Sequence, residues 1–300
     1  MQNSVTGFWT LPASLSKEGV FHLKEMAVVE VSGADAMGFL HGQFTNHINE
    51  IGDAFRLAAY CQPQGRILSL MRVVKKDDLF YLIMPQDLIE GFIKRLSMFI
   101  LRSKVSIRLA DELAVFGVIL QNKQLPDIDH AIIDNDMVIG RVSNWNNLQR
   151  ALLIANSEKV LNHMQVIEDS AMWFLSEIET STPWVFEKTK EAFIPQWINL
   201  DLIGGLVFDK GCYPGQEIIS RMQHLGKTPR RLALLKSDSK VLVEPKSDVF
   251  LNGEAVGQAV AGVQTQDKTL VLVSMSIKEN VVQDTFFEIQ GKSFTQMSRL

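Results

Sequence analysis

Apolar positions recur along this chain in two periods, and the switches between them mark out its elements. Residues 27–44 read as a strand, a Ser/Gly/Asp turn and a helix, with Asp35 as the expected cap and Met37, Leu40 and Phe44 at helical spacing. Residues 55–74 are two apolar runs around Gln62-Pro63-Gln64-Gly65, which predicts a hairpin, and 79–84 supplies a third strand. Pro85 opens a predicted helix over 85–101, whose stripe is Leu88, Ile89, Phe92, Ile93, Leu96, Phe99 and Ile100. Strands are predicted over 104–110, 113–120, 137–143 and 150–156, and helices over 157–164, 168–179 and 216–223. Past Arg231 the pattern becomes short strands separated by Asn252-Gly253, Asp267-Lys268 and Gln290-Gly291, which predicts a small β-barrel or sandwich. Strands and helices interleave without a run of β-α-β units, so the expected class is α+β.

Composition narrows the picture. With 300 residues and 46% apolar content, the chain has enough hydrocarbon for more than one lobe. A net charge of −4 excludes a global cationic field, so any nucleic-acid contact needs a local basic patch. The first residues are polar and lack a secretory pattern, and no apolar run approaches the ~18 residues of a membrane span. A cytoplasmic protein with no membrane partner is expected. Cys61 and Cys212 are the two cysteines. They form neither a disulfide framework nor a four-ligand metal site; one disulfide between them is compatible with the sequence, and a reducing compartment is the simpler reading.

Several chemistries have no signature here. There is no Walker A loop, no GxGxxG after a strand, no HExxH, no CxxC and no GxSxG. The six histidines are scattered; His41 and His47 lie six apart, a poor spacing for one helical face. Attention falls on residues 209–221, DKGCYPGQEIISR. Gly211 is expected to let a backbone or ligand approach Cys212, and Pro214-Gly215 to form a tight turn ahead of the helix. Lowering a thiol from about 8.5 to neutrality takes roughly 2 kcal/mol. A helix end usually contributes under about 1 kcal/mol, so Lys210 or Arg221 is expected to supply the remainder. An inert Cys212 packed as a small hydrophobe is the alternative.

The segment 193–232 resembles the signature of the YgfZ family, folate-binding proteins linked to iron–sulfur cluster maintenance and tRNA modification, relatives of the glycine-cleavage T-protein. The pattern K-G-C-Y-x-G-Q-E is met by Lys210, Gly211, Cys212, Tyr213, Gly215, Gln216 and Glu217, followed by Arg221. Residues 31–48, with Gly42-Gln43 and Thr45, are similar to the family's first helix region. The resemblance implies intertwined ferredoxin-like α+β lobes around a central folate cavity. It places a body over 1–230, with lobes centred on 50–110 and 111–185, and a C-terminal β-barrel over 231–300.

It also implies tetrahydrofolate, or a one-carbon derivative, as cofactor. Residues 170–183 resemble the segment that ends in the pterin-binding glutamate of the T-protein relatives; Trp173 matches a folate-contacting tryptophan and Glu179 the pterin carboxylate. Stacking adds only ~0.5–1.5 kcal/mol, whereas micromolar binding needs about −8 kcal/mol, so Glu179 and buried area would carry most of it. Two positions depart from the pattern: Met26 stands where a second folate-contacting tryptophan is common, and Ser69-Leu70 where the aminomethyltransferases place an aspartate pair. Glycine-cleavage activity is therefore not expected.

The implied function is an accessory protein for iron–sulfur enzymes, including tRNA-modifying ones, with Cys212 as its functional thiol. A folate-dependent one-carbon transferase and a folate-binding module with an inert cysteine are the alternatives. Expected partners are folate and iron–sulfur client enzymes or assembly factors. No stable metal centre is expected, because a single cysteine cannot hold a four-thiolate cluster and any cluster contact would be shared or transient. Residues 221–231 add Arg221, His224, Lys227, Arg230 and Arg231, read as a solvated connector, a site for the folate tail, or a contact for RNA phosphate.

Overall fold

The computed structural model describes residues 7–121, 125–134, 136–224, 228–276 and 285–299. Lys227 lies outside them. The class is α+β, with many strands and few helices.

The first sheet is antiparallel and has five strands in the spatial order Arg56–Cys61, Ile67–Lys76, Leu79–Pro85, Met26–Ser32, Ser106–Leu109. Its hairpin turns at Gly65, whose φ of 76° suits glycine. Helices Ala36–His41 and Ile89–Ser97 bury Leu40, Phe92 and Leu96 in one apolar cluster with Val29, Val31, Tyr60 and Met71 from the sheet. The second sheet has six strands in the order Val166–Ile167, Gly19–His22, Leu113–Leu120, Leu148–Asn156, Met137–Trp145, Ala131–Ile133. Gly19–His22 precedes the whole first sheet in the chain yet pairs in the second, so the two sheets are threaded through each other.

Six strands close into a barrel: Arg230–Ser237, Thr269–Ser276, Glu254–Gln264, Asp248–Leu251, Phe286–Ile289 and Lys292–Arg299. Closure leaves no free edge around the ring. Leu235, Val249, Val271, Phe287 and Phe294 fill it. Phe8–Thr10 adds to this sheet in parallel, with Phe8 opposite Gly262.

Helix Ala171–Glu179 packs against barrel strands, Phe8–Thr10 and Leu113–Leu120, and every residue from Ala171 to Ile178 is buried. Trp9 stacks on Phe174 at 3.8 Å between ring centroids. A helix buried on every side belongs at the junction of several layers, which is where this one lies.

Two expectations are corrected. The helix predicted over 85–101 is a 3₁₀ turn, Gln86–Leu88, followed by an α-helix that stops at Ser97. Leu101 takes a φ of 48°, and Met98 and Leu101 are 61% and 89% exposed, so the stripe fails at Phe99 because the chain has already turned away from the sheet. Asp35 does not cap its helix; its carboxylate accepts from the Lys104 backbone N–H at 2.7 Å.

Candidate functional site around Cys212

The two segments that carry the family resemblance meet in space. Thr45 Oγ1 donates to Gly205 O and accepts from Ala59 N–H, and Val207 N–H donates to Thr45 O. The Asn46 amide donates to Leu57 O and Gly204 O. The loop leading to Cys212 is thereby seamed to the loop after the first helix. Each of these polar atoms is satisfied, so the seam is rigid rather than merely close.

Lys210 completes it. Its ammonium donates to His41 O and Phe44 O, the carbonyls at the end of the first helix, and lies 4.8 Å from the Tyr213 ring centroid. A cation at helix-terminal carbonyls is favourable. This corrects the role expected of Lys210: its charge is held by carbonyls and not by the Cys212 thiol. The helix begins at Gln216, four positions past Cys212, and Arg221 is exposed on it.

Burial lowers the Lys210 pKa to about 8. In the unfolded chain a lysine holds its proton to about 10.4. The unfolded state therefore binds more protons between these values, and stability rises with pH across that window. Below pH 8 the desolvation cost is fully present; above about 10.4 it is gone. Lys210→Met is expected to lack this rise, so the gap between the urea midpoints of the two proteins should change from pH 7.5 to about 10. A constant gap would contradict the assignment.

The turn at Pro214-Gly215 falls where expected, but the close backbone approach expected at Gly211 occurs at Gly215 instead. A Cβ on Gly211 would meet nothing within 4 Å, so no backbone approaches there. Gly215 has a φ of 87°, and a Cβ on it would lie 2.7 Å from Gln62 O and 2.8 Å from Gly65 Cα. The close approach is the hairpin turn 62–65 against the start of the helix. Gln216 Nε2 donates to Lys210 O at 3.3 Å, and Gln196 Nε2 to Ile219 O at 2.7 Å. Tyr213 is buried with its hydroxyl unpartnered, and burial raises its pKa. Glu217 is exposed.

Cys212, so framed, is exposed, whereas Cys61 is buried and both are free. Burial drives the Cys61 pKa up, which keeps it a neutral thiol. No disulfide joins the pair, and the thiol offered to solvent is Cys212.

His41 and His47 come together despite their spacing, because one ends the helix and the other sits in the following loop. Their rings stack at 5.8 Å, and His47 Nε2 lies 3.1 Å from Asp209 Oδ1. His41 Nδ1 accepts from Ile48 N–H; burial, then Lys210, then His47 lower its pKa. Among the described residues, no group of three or more His, Cys, Asp or Glu is arranged to hold a metal ion.

The residues expected to contact folate lie elsewhere. Trp173 is 1% exposed. Its indole rests on Gly117, where a Cβ would lie 2.4 Å from the ring, and the Arg150 guanidinium is 5.3 Å from the centroid. Met26 is buried in the same core. As placed, neither offers a face on which a pterin could stack, which corrects that expectation: the centre of the molecule is already filled at both side chains. Glu179 differs. Its side chain is 24% exposed and accepts from Trp145 Nε1 at 2.8 Å and Lys268 Nζ at 3.3 Å. A carboxylate so held fits a donor edge. Ser69 and Leu70 are buried and put no carboxylate on that strand.

Sequence reading missed the network behind Trp173. Arg150 is fully buried and donates to Ser143 O, Ser143 Oγ, Ser176 Oγ, Thr180 Oγ1 and Glu177 Oε1, while Glu177 Oε2 accepts from Trp184 Nε1. Burial is the main cause lowering the Arg150 pKa, and Glu177 opposes it. The only signal was one arginine at the start of the apolar run 151–155.

The architecture is that of the glycine-cleavage aminomethyltransferases. The aminomethyltransferase T structure from Bartonella henselae superposes with a TM-score of 0.69, covering 94% of this chain and 85% of that one, at 14% identity. No protein-family profile matches the chain. Among curated proteins it is similar to the tRNA-modifying protein YgfZ of Enterobacter sp. strain 638, 29% identical over 91% of this chain and 89% of that protein. The YgfZ protein of Colwellia psychrerythraea is also 29% identical, over 87% and 86%, and that of Escherichia coli strain UTI89 is 27% identical, over 91% and 89%. The resemblance first seen in two motifs thus extends over about nine-tenths of the chain.

Proposed function

We propose that this protein is a tetrahydrofolate-binding accessory factor in tRNA modification, supporting enzymes that carry iron–sulfur clusters, with Cys212 as its working thiol. One observation carries the reading: of two free cysteines, the exposed one stands on a loop pinned at both ends, by Lys210 on the His41 and Phe44 carbonyls and by Gly215 against the 62–65 turn. A thiol with only a packing role needs no such mounting. The name of the curated relatives supports the tRNA link, and the motif resemblance supports folate. Glu179, braced by Trp145 and Lys268, is assigned to the donor edge of the pterin, and Trp173 to holding the helix that ends there. Aminomethyl transfer is disfavoured by the apolar and hydroxyl side chains at Leu70 and Ser69.

Titration of the full chain with tetrahydrofolate is expected to show micromolar binding by calorimetry, weakened at least tenfold in Glu179→Ala. Cys212→Ser is expected to bind folate normally and to fail in cells lacking the native copy. An absence of heat and of fluorescence change rejects the folate part; full activity of Cys212→Ser makes the cysteine inert.

A further inference from the structure

Trp197, in the 3₁₀ turn Pro195–Ile198, carries two guanidinium groups on its indole. Arg66 lies 4.9 Å from the ring centroid and Arg230 5.1 Å. Among the described residues neither is paired with a carboxylate; Arg66 donates to Ala192 O. The neighbouring Arg231 is different, being committed to Asp201 at 2.6 Å. Arg221, exposed on the helix Gln216–His224, also has no ion pair among the described residues. Trp197 Nε1 is buried and has no hydrogen-bond partner. A Cβ on Gly65, next to Arg66, would lie 3.4 Å from Ile218 and Ile219 of that same helix, and one on Gly215 would lie 2.8 Å from Gly65 Cα, so this face adjoins the Cys212 loop.

Two like charges held over one ring repel each other, and no carboxylate among the described residues pairs with either. The indole attracts both guanidinium groups and holds them near one another, and a guanidinium keeps planar N–H donors for oxygen anions. A single carboxylate satisfies one such edge. A backbone of repeating phosphates satisfies several separated ones at once. We propose that Arg66 and Arg230, held on Trp197, and Arg221 on the adjoining helix form an RNA-phosphate-binding face beside Cys212. This deepens the tRNA-linked reading and is independent of the folate part.

The test is fluorescence anisotropy of the full chain with a labelled, unmodified tRNA transcript between about 50 and 200 mM salt. Arg66→Ala/Arg230→Ala is expected to bind at least tenfold more weakly, with the slope of log affinity against log salt reduced by about 1.4–1.8, two phosphate contacts at about 0.7–0.9 each. Single Arg66→Gln and Arg230→Gln variants, each expected to lose half of that slope, serve if the double variant melts early. No salt-dependent tRNA binding by the parent overturns the proposal. So does a folded double variant with unchanged affinity and slope, or binding to anionic vesicles with none to tRNA. The folate titration reads a different site, so either result can fail without the other.

Discussion

Arg150→Leu is expected to lose about 3–5 kcal/mol of stability, the range for breaking one partner of a buried ion pair. The loss comes less from the missing guanidinium than from what it leaves. Glu177, 3% exposed, would keep Trp184 Nε1 as its remaining donor for a charge shut away from water. Ser143 O and the hydroxyls of Ser143, Ser176 and Thr180 would also lose a donor. Each kcal/mol corresponds to about 2–4 °C in a domain of 150–250 residues, so the melting midpoint should drop by on the order of 10 °C. Arg150→Leu/Glu177→Leu should recover most of that, because the stranded charge is removed with its partner. Urea midpoints of the three proteins decide it; a single-variant loss under about 1 kcal/mol would mean that water reaches Glu177.

Gly215→Ala is expected to lose about 2–5 kcal/mol and to displace the thiol. An L residue in the left-handed region costs about 1–2 kcal/mol, and overpacking adds about 1–3. The opposing atoms are backbone atoms of Gln62 and Gly65, in a turn that itself needs a positive φ at Gly65, so they have little room to yield. Gly211→Ala, four positions away, is the control. With nothing within 4 Å, it should stay within about 0.5 kcal/mol of the parent. Thermal melts, with the rate of Cys212 alkylation as a local readout, separate the two; equal effects would refute the packing assigned to Gly215.

That pair shows how far the sequence could be read. Both glycines sit in the same motif, and only the neighbour across the gap distinguishes them, which local spacing does not encode. Turn chemistry was legible: the hairpin at Gly65 and the turn at Asn252-Gly253 fall where expected, because positive φ selects glycine and asparagine. The barrel strands were legible as well, since turn residues bound them. The helix over 85–101 was overread, because apolar residues past Ser97 continue the period while the backbone leaves it. Trp173 was placed on the correct helix and given the wrong surroundings. Its neighbours from Ala171 to Ile178 are apolar or small on nearly every side, the mark of a buried helix, and that mark argued for core over a ligand face. Arg150 and Glu177 are 27 positions apart, and no local pattern joins them. Gly19–His22 and Phe8–Thr10 are too short to announce which sheet they join.

Phe8 lies opposite Gly262, and that pairing has a consequence for the chain as it emerges from the ribosome. At about 5–20 residues per second, the roughly 250 residues between them take on the order of 13–50 s to appear. Through that interval Phe8–Thr10 has no barrel to join, while the lobes synthesised after it can already be folding. Its docking is therefore a late event in biogenesis, in which a strand waits for a partner made about 250 residues after it.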